Sequence, residues 1–178
     1  MTATCRAALV LALGFAFALA AAETAPLVKE LEPFRPFLGK TWRGEFKNST
    51  PENPVVDVSR WERALNGQAV RVIHSINHGA YGGESFFRWD KDKAAFVFHY
   101  FTTAGFMTTG TATFTDGKLV SHEQVTGSAN GVTEVRATSE FRADGTLFVK
   151  AEYRKNGEWS PGRETLYRED PKAEVKFK

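Results

Sequence analysis

The stretch FHYFTTAGF, residues 98–106, decides how this chain is read. It holds Phe98, Tyr100, Phe101, Phe106 and His99, and at first sight it resembles a pocket for a metal, a haem or a flat apolar ligand. Its pattern is instead the end of one strand, a turn through Thr103-Ala104-Gly105 and the start of another. Successive side chains of a strand point to opposite faces. Phe98 and Tyr100 therefore share one face, and Val97, His99 and Phe101 share the other. Tyr100 is the residue of this stretch expected in an interior cavity; His99 is expected outside.

The same grammar extends in both directions. Short runs rich in Val, Phe, Thr, Tyr and Trp occupy 39–47, 55–65, 68–78, 83–90, 94–102, 106–115, 118–127, 132–142, 146–154 and 162–169. Between them stand Asn66-Gly67, Gly79-Ala80-Tyr81-Gly82, Asp90-Lys91-Asp92-Lys93, Ala104-Gly105, Asp116-Gly117, Asn130-Gly131, Asp144-Gly145 and Asn156-Gly157. Asn-Gly and Asp-Gly suit two-residue hairpin turns, whose central residues both need positive φ. Each strand should pair with the next. About ten strands leave costly open edges unless the sheet closes on itself. The expected fold is all-β, an antiparallel up-and-down barrel over 39–169. Residues 23–38 form a lead-in in which Pro26, Pro33 and Pro36 limit LVKELEPF to a helical turn or two, and 170–178 form a polar tail.

Alternation also names the inward faces. They are Val70, Val72, His74 and Ile76; Ser85, Phe87 and Trp89; Ala94, Phe96, Phe98 and Tyr100; Leu119, Ser121, Glu123 and Val125; Val135, Ala137, Ser139 and Phe141; and Leu147, Val149, Ala151 and Tyr153. One bulge would reverse the remainder of its strand.

The chain of 178 residues begins MTATCRAALVLALGFAFALAAAE. Arg6, the apolar run from Ala7 to about Ala22 and the small residues Ala20 and Ala22 make residues 1–22 a secretory signal peptide by pattern. A periplasmic or secreted location follows, with no stable membrane span after cleavage, since the run is short for the ~20 residues of a spanning helix. Cys5 is the sole cysteine and would leave with the signal. The mature chain then has no disulfide, no cysteine ligand and no thiol nucleophile. About 155 residues suffice to bury a core without them. The net charge is +2, with cations scattered among anions, so no nucleic-acid partner is expected.

The run FLGKTWRGEF (37–46), opening a meander that fills the rest of the chain, resembles the start of calycin barrels: lipocalins, fatty-acid-binding proteins and nitrobindins. Thr41-Trp42-Arg43-Gly44 is similar to the nitrobindin Gly-Thr-Trp-x-Gly pattern, although Lys40 separates Gly39 from it. Trp89-Asp90 is similar to a turn of uncharacterised bacterial lipocalin-like domains. The resemblance implies a barrel that binds a small, mostly apolar molecule, with Trp42 closing one end and a late arginine, Arg163 or Arg168, packed on it. Nitrobindins bind haem through a histidine near the C-terminal end, whereas this chain has none after His122.

The histidines do not form a metal set. His74 and His78 suit one ion on a helix, but on a strand they lie about 13 Å apart. Ser121-His122-Glu123 is no triad, because His122 points away from its neighbours. The candidate ligand-binding residues are Trp42, His74, Trp89, Tyr100, Glu123, Ser139 and Tyr153. No catalytic set, metal or cofactor is assigned, and the oligomeric state is left open. The expected partner is a small apolar or amphipathic molecule. Three alternatives are kept: a lyase- or isomerase-type enzyme using an interior Glu and His, a haem protein, and an interaction module with a filled barrel. Tyr81 is read as a loop tip that could serve as part of a lid.

Overall fold

The computed structural model describes residues 26–127 and 130–178, so residues 1–22 and Cys5 lie outside the described part. Ten strands follow in order: β1 Lys40–Phe46, β2 Val56–Ala64, β3 Ala69–Ile76, β4 Tyr81–Asp90, β5 Ala95–Thr102, β6 Met107–Thr115, β7 Lys118–Thr126, β8 Val132–Phe141, β9 Leu147–Lys155 and β10 Glu158–Glu169. Each pairs antiparallel with the next, and β1 pairs with β10 from Trp42↔Glu169 to Phe46↔Thr165. The sheet is a closed barrel, as its turn chemistry predicts. Asp116-Gly117 (φ 50 and 73) and Asn156-Gly157 (φ 53 and 83) supply the positive dihedrals that tight hairpins need. Among the described residues no helix is long and apolar enough to cross a membrane.

The lead-in differs from expectation. It forms a nine-residue 3-10 helix, Lys29–Phe37, that runs through Pro33 and Pro36. Three residues per turn bring Leu31, Phe34 and Phe37 onto one side, and all three are buried. The Phe34 ring lies 4.9 Å from Phe96, 5.1 Å from Phe114 and 5.6 Å from Phe87. Burial of this apolar ridge outweighs the backbone bonds that the prolines cannot donate. The helix plugs one end of the barrel, and Trp42 is fully buried there, donating from Nε1 to the Phe37 carbonyl at 3.2 Å.

Three local expectations also change. Ala94, expected on the inward face of β5, is exposed in the β4–β5 turn with a positive φ of 48, which reverses the chain before the strand begins at Ala95. The reversal after β3 sits at Asn77–Gly79, where Asn77 and His78 both take positive φ, so His78 belongs to a turn. Tyr81 accordingly begins β4 instead of tipping a loop. The C-terminal tail returns across the outside of β3, where the Lys176 amide donates to Ser75 Oγ at 2.9 Å.

β10 carries the irregularity with the largest consequence. Its pairing with β9 shifts between Pro161 and Glu164. Counted straight from the Lys155↔Glu158 pair, Arg163 would oppose Lys150 and point outward. The extra residue places Glu164 there instead, and turns Arg163, Thr165 and Tyr167 into the barrel.

Candidate functional site

The plugged half of the barrel is solid, and the other half is not. A cavity of about 430 Å³ occupies it. Its apolar lining includes Trp61, Val72, Phe87, Phe98, Leu119 and Val149. Trp61 stands between the two halves, stacked on Phe37 at 4.9 Å and on Phe87 at 6.3 Å. Its buried indole N–H has no hydrogen-bond acceptor among the described residues.

A polar chain crosses the opposite part of the wall. Tyr81 Oη lies 2.7 Å from Tyr100 Oη, and Tyr100 Oη lies 2.7 Å from His74 Nε2. His74 Nδ1 lies 2.9 Å from Asp57 Oδ1, while the Tyr167 hydroxyl donates to Asp57 Oδ2 at 2.6 Å. Strand register explains the assembly. Asp57 is opposite Ile76 and one diagonal from His74, and Ser85 opposite Tyr100 keeps the space between β4 and β5 open. Gly83 is needed beside it, because a Cβ there would stand 2.4 Å from Tyr100 Cε2.

Donor accounting orders the protons. An ionised Asp57 only accepts, so His74 Nδ1–H donates to it. In neutral His74, Nε2 then accepts from Tyr100, and Tyr100 accepts from Tyr81. Burial pushes the Asp57 carboxyl up, but the hydrogen bond and charge of His74, the charge of Arg163 and the Tyr167 hydrogen bond outweigh it. The carboxyl is held below its ordinary value. Burial, reinforced by Tyr81, drives the Tyr100 phenol far above its ordinary value, and burial does the same to Tyr167. Both stay protonated across the ordinary pH range.

Arg163 Nη1 lies 3.7 Å from Asp57 Oδ2. Its side chain sits inside the barrel yet keeps 30% exposure, which opens onto the cavity it lines. Glu123 is the second interior carboxyl. It accepts from Thr108 Oγ1 at 2.6 Å, on the strand next to Tyr100. Burial pushes the Glu123 carboxyl up, and the Thr108 hydrogen bond and the charges of Arg163 and His122 offset this only in part.

Of the residues named from sequence, His74, Tyr100, Glu123, Ser139 and Tyr153 all line the cavity. Trp42 and Trp89 do not. Trp42 packs on Phe141 at 6.1 Å in the plugged end, and Trp89 on Phe96 at 5.2 Å. Neither late arginine packs on Trp42: Arg163 is drawn to Asp57, Arg168 is exposed opposite Arg43, and the cation over the Trp42 ring is Lys40 at 5.4 Å. His99 is exposed and His122 bonds Glu134 at 2.7 Å outside. Among the described residues no group of three or more His, Cys, Asp or Glu is placed to hold a metal.

Sequence reading missed Asp57, Thr108 and Tyr167, and it put Tyr81 in a loop and Arg163 on Trp42 where the fold puts both in the cavity wall. In VVDVSRWERAL the apolar Val56 and Val58 alternate with Asp57 and Ser59, and it is the polar pair that is buried. An inverted pattern of this kind is the signal of a polar interior.

No family model matches the chain, and no curated protein matches it. Among solved structures it is similar to the chain in the crystal structure of Rv2717c from M. tuberculosis. The two share 12% identity over 81% of this chain and 99% of that one, with a TM-score of 0.59. A likeness at that identity is one of fold alone.

Proposed function

We propose that the protein binds a small hydrophobic or amphipathic molecule inside the barrel. The cavity carries this reading: its volume of about 430 Å³ falls within the roughly 300–1,000 Å³ of small-molecule sites, and it combines apolar walls with a few convergent polar groups. Arg163 and the hydroxyl of Tyr81 offer a polar head group its partners, and Phe87, Phe98 and Trp61 receive an apolar body. Kinship with calycin barrels is part of the proposal, resting on Thr41-Trp42-Arg43-Gly44 and the ten-strand meander. So is export, resting on residues 1–22.

The other readings fit less well. A filled interaction module has no room for a cavity of this size. A haem iron on His74 would have to displace Tyr100 from Nε2, since Asp57 already holds Nδ1.

Titration with 1-anilinonaphthalene-8-sulfonate, an amphipathic fluorescent probe, tests the proposal. Blue-shifted emission saturating at one probe per chain is expected. Ser121→Trp, which fills the cavity from β7, should abolish it while circular dichroism stays that of the folded barrel. Binding that ignores this substitution, or no saturable binding, would overturn the proposal.

A further inference from the structure

We propose that the cavity is also an acid–base site for small apolar ketones: Tyr81 gives a proton to the carbonyl oxygen while Glu123 takes one from the adjacent carbon. This rests on the binding reading above and adds a reaction to it.

Three observations carry the inference. First, the chain Asp57–His74–Tyr100–Tyr81 is continuous, with contacts of 2.9, 2.7 and 2.7 Å, and its last hydroxyl lines the cavity. Tyr81 is fixed on its other side by Phe106, stacked at 6.3 Å. Second, Glu123 lines the same cavity three strands further round the wall, and its charge reaches Tyr81. Strands lie about 4.8 Å apart, so about 14 Å of wall separates the two backbones. Side chains reaching in from both leave room for a carbon skeleton between them. Third, the carboxyl and the phenol belong to separate hydrogen-bonded sets, Thr108–Glu123 and the His74 chain. One can lose a proton while the other gains one.

The proton balance closes without a cofactor. With His74 as imidazolium, Nδ1–H donates to Asp57, Nε2–H donates to Tyr100, and Tyr100 donates to Tyr81. The Tyr81 hydrogen is then free for the cavity. A Glu123 carboxylate oxygen removes the hydrogen on the carbon beside the carbonyl. The C–H electron pair becomes the carbon–carbon double bond, and the carbonyl π pair moves onto oxygen. That oxygen takes the Tyr81 proton, Tyr81 takes that of Tyr100, and Tyr100 takes that of His74, which ends neutral. Reversal restores every group and returns a proton to carbon. No phenolate forms at any point, as the burial of Tyr100 requires. Burial also makes ionised Glu123 a stronger base than an ordinary carboxylate. Asp57 and Tyr100 act as positioning residues; Tyr81 and Glu123 touch the substrate.

The test uses 2-tetralone in D2O, with loss of its α-hydrogens followed by proton NMR and its binding by quenching of Trp61. Wild-type protein is expected to exchange them faster than buffer alone. Glu123→Gln and Tyr81→Phe should each reduce the exchange by about 10²-fold. Tyr81→Phe should also bind tetralone more weakly, since it loses the donor to the carbonyl, so its exchange is compared at saturating tetralone; both variants should unfold cooperatively. Acceleration that survives both substitutions would overturn the assignment. No acceleration by wild type overturns the inference whatever binds. In that case binding of the anilinonaphthalene probe leaves the binding reading standing, and failure of both ligands to bind removes both readings.

Discussion

Asp57 is 1% exposed and sits inside a barrel wall, where an uncompensated carboxylate would be costly. Its compensation comes from two other strands: His74 on β3, and Arg163 and Tyr167 on β10, around its own place on β2. Removing it strands the partners. Asp57→Ala is expected to destabilise the fold by about 3–5 kcal/mol, measured by urea unfolding. The pH dependence has a definite sign. The folded carboxyl is held below its ordinary value of 3.8, so its contribution is complete above that value and lost as pH falls through the lower folded one. The acid limb of the wild-type stability curve should be steeper than that of Asp57→Ala. Glu123 behaves oppositely. Its folded value is raised above 4.5, so the folded state holds the proton longer and stability falls as pH rises from 4.5 through the folded value. Glu123→Gln escapes that loss, and its unfolding midpoint should gain on wild type as pH is raised through the window. A variant that tracks wild type at every pH would mean that Glu123 is solvated. The sequence exposed Glu123, because Leu119, Ser121, Glu123 and Val125 share a face. It hid Asp57, because the more apolar face of that strand is the outer one.

The helix Lys29–Phe37 and the β10 bulge are the two elements that convert a generic barrel into this one. The helix fills one half with Leu31, Phe34 and Phe37, and so confines the cavity to the other. Phe34 touches four aromatic residues of the wall, with ring centroids 4.9 Å from Phe96, 5.1 Å from Phe114, 5.6 Å from Phe87 and 6.2 Å from Trp61. Phe34→Ala should cost about 3–5 kcal/mol. The void it leaves would adjoin Trp61, so the Trp emission should shift as well; an unchanged spectrum and midpoint would show that the helix does not seal the barrel. Neither element could be read in full from sequence. Alternation and hairpin turns are local signals, and they placed all ten strands and, Ala94 apart, the inward faces assigned to six of them. The helix is stabilised by burial against residues far along the chain, and its three-residue period is shorter than the usual one. The bulge is a shift in pairing between Pro161 and Glu164 that leaves no periodic mark. Arg163 and Tyr167 were therefore placed only by the fold.

At the scale of the whole molecule, the cavity is joined to every strand. Phe46, Asp57, His74, Tyr81, Tyr100, Thr108, Glu123, Ser139, Tyr153 and Arg163 line it, one from each of β1 to β10 in order. A bound molecule must therefore be released before any strand can leave the sheet. Binding is linked to global unfolding, and a ligand that favours only the folded state adds RT ln(1 + [L]/Kd) to its stability. At a probe concentration of about 100 times Kd this is about 2.7 kcal/mol. A domain of this size gains about 2–4 °C per kcal/mol. The anilinonaphthalene probe should thus raise the thermal midpoint by about 5–11 °C. Amide hydrogen exchange should slow in all ten strands together, including those whose ends lie in the plugged half. A probe held only at the open mouth would instead protect the turns at that end, among them β1–β2, β3–β4, β5–β6 and β9–β10, and leave the strand ends in the plugged half unchanged. The distribution of protection along the barrel, read with the size of the midpoint shift, separates an interior ligand from one on the rim.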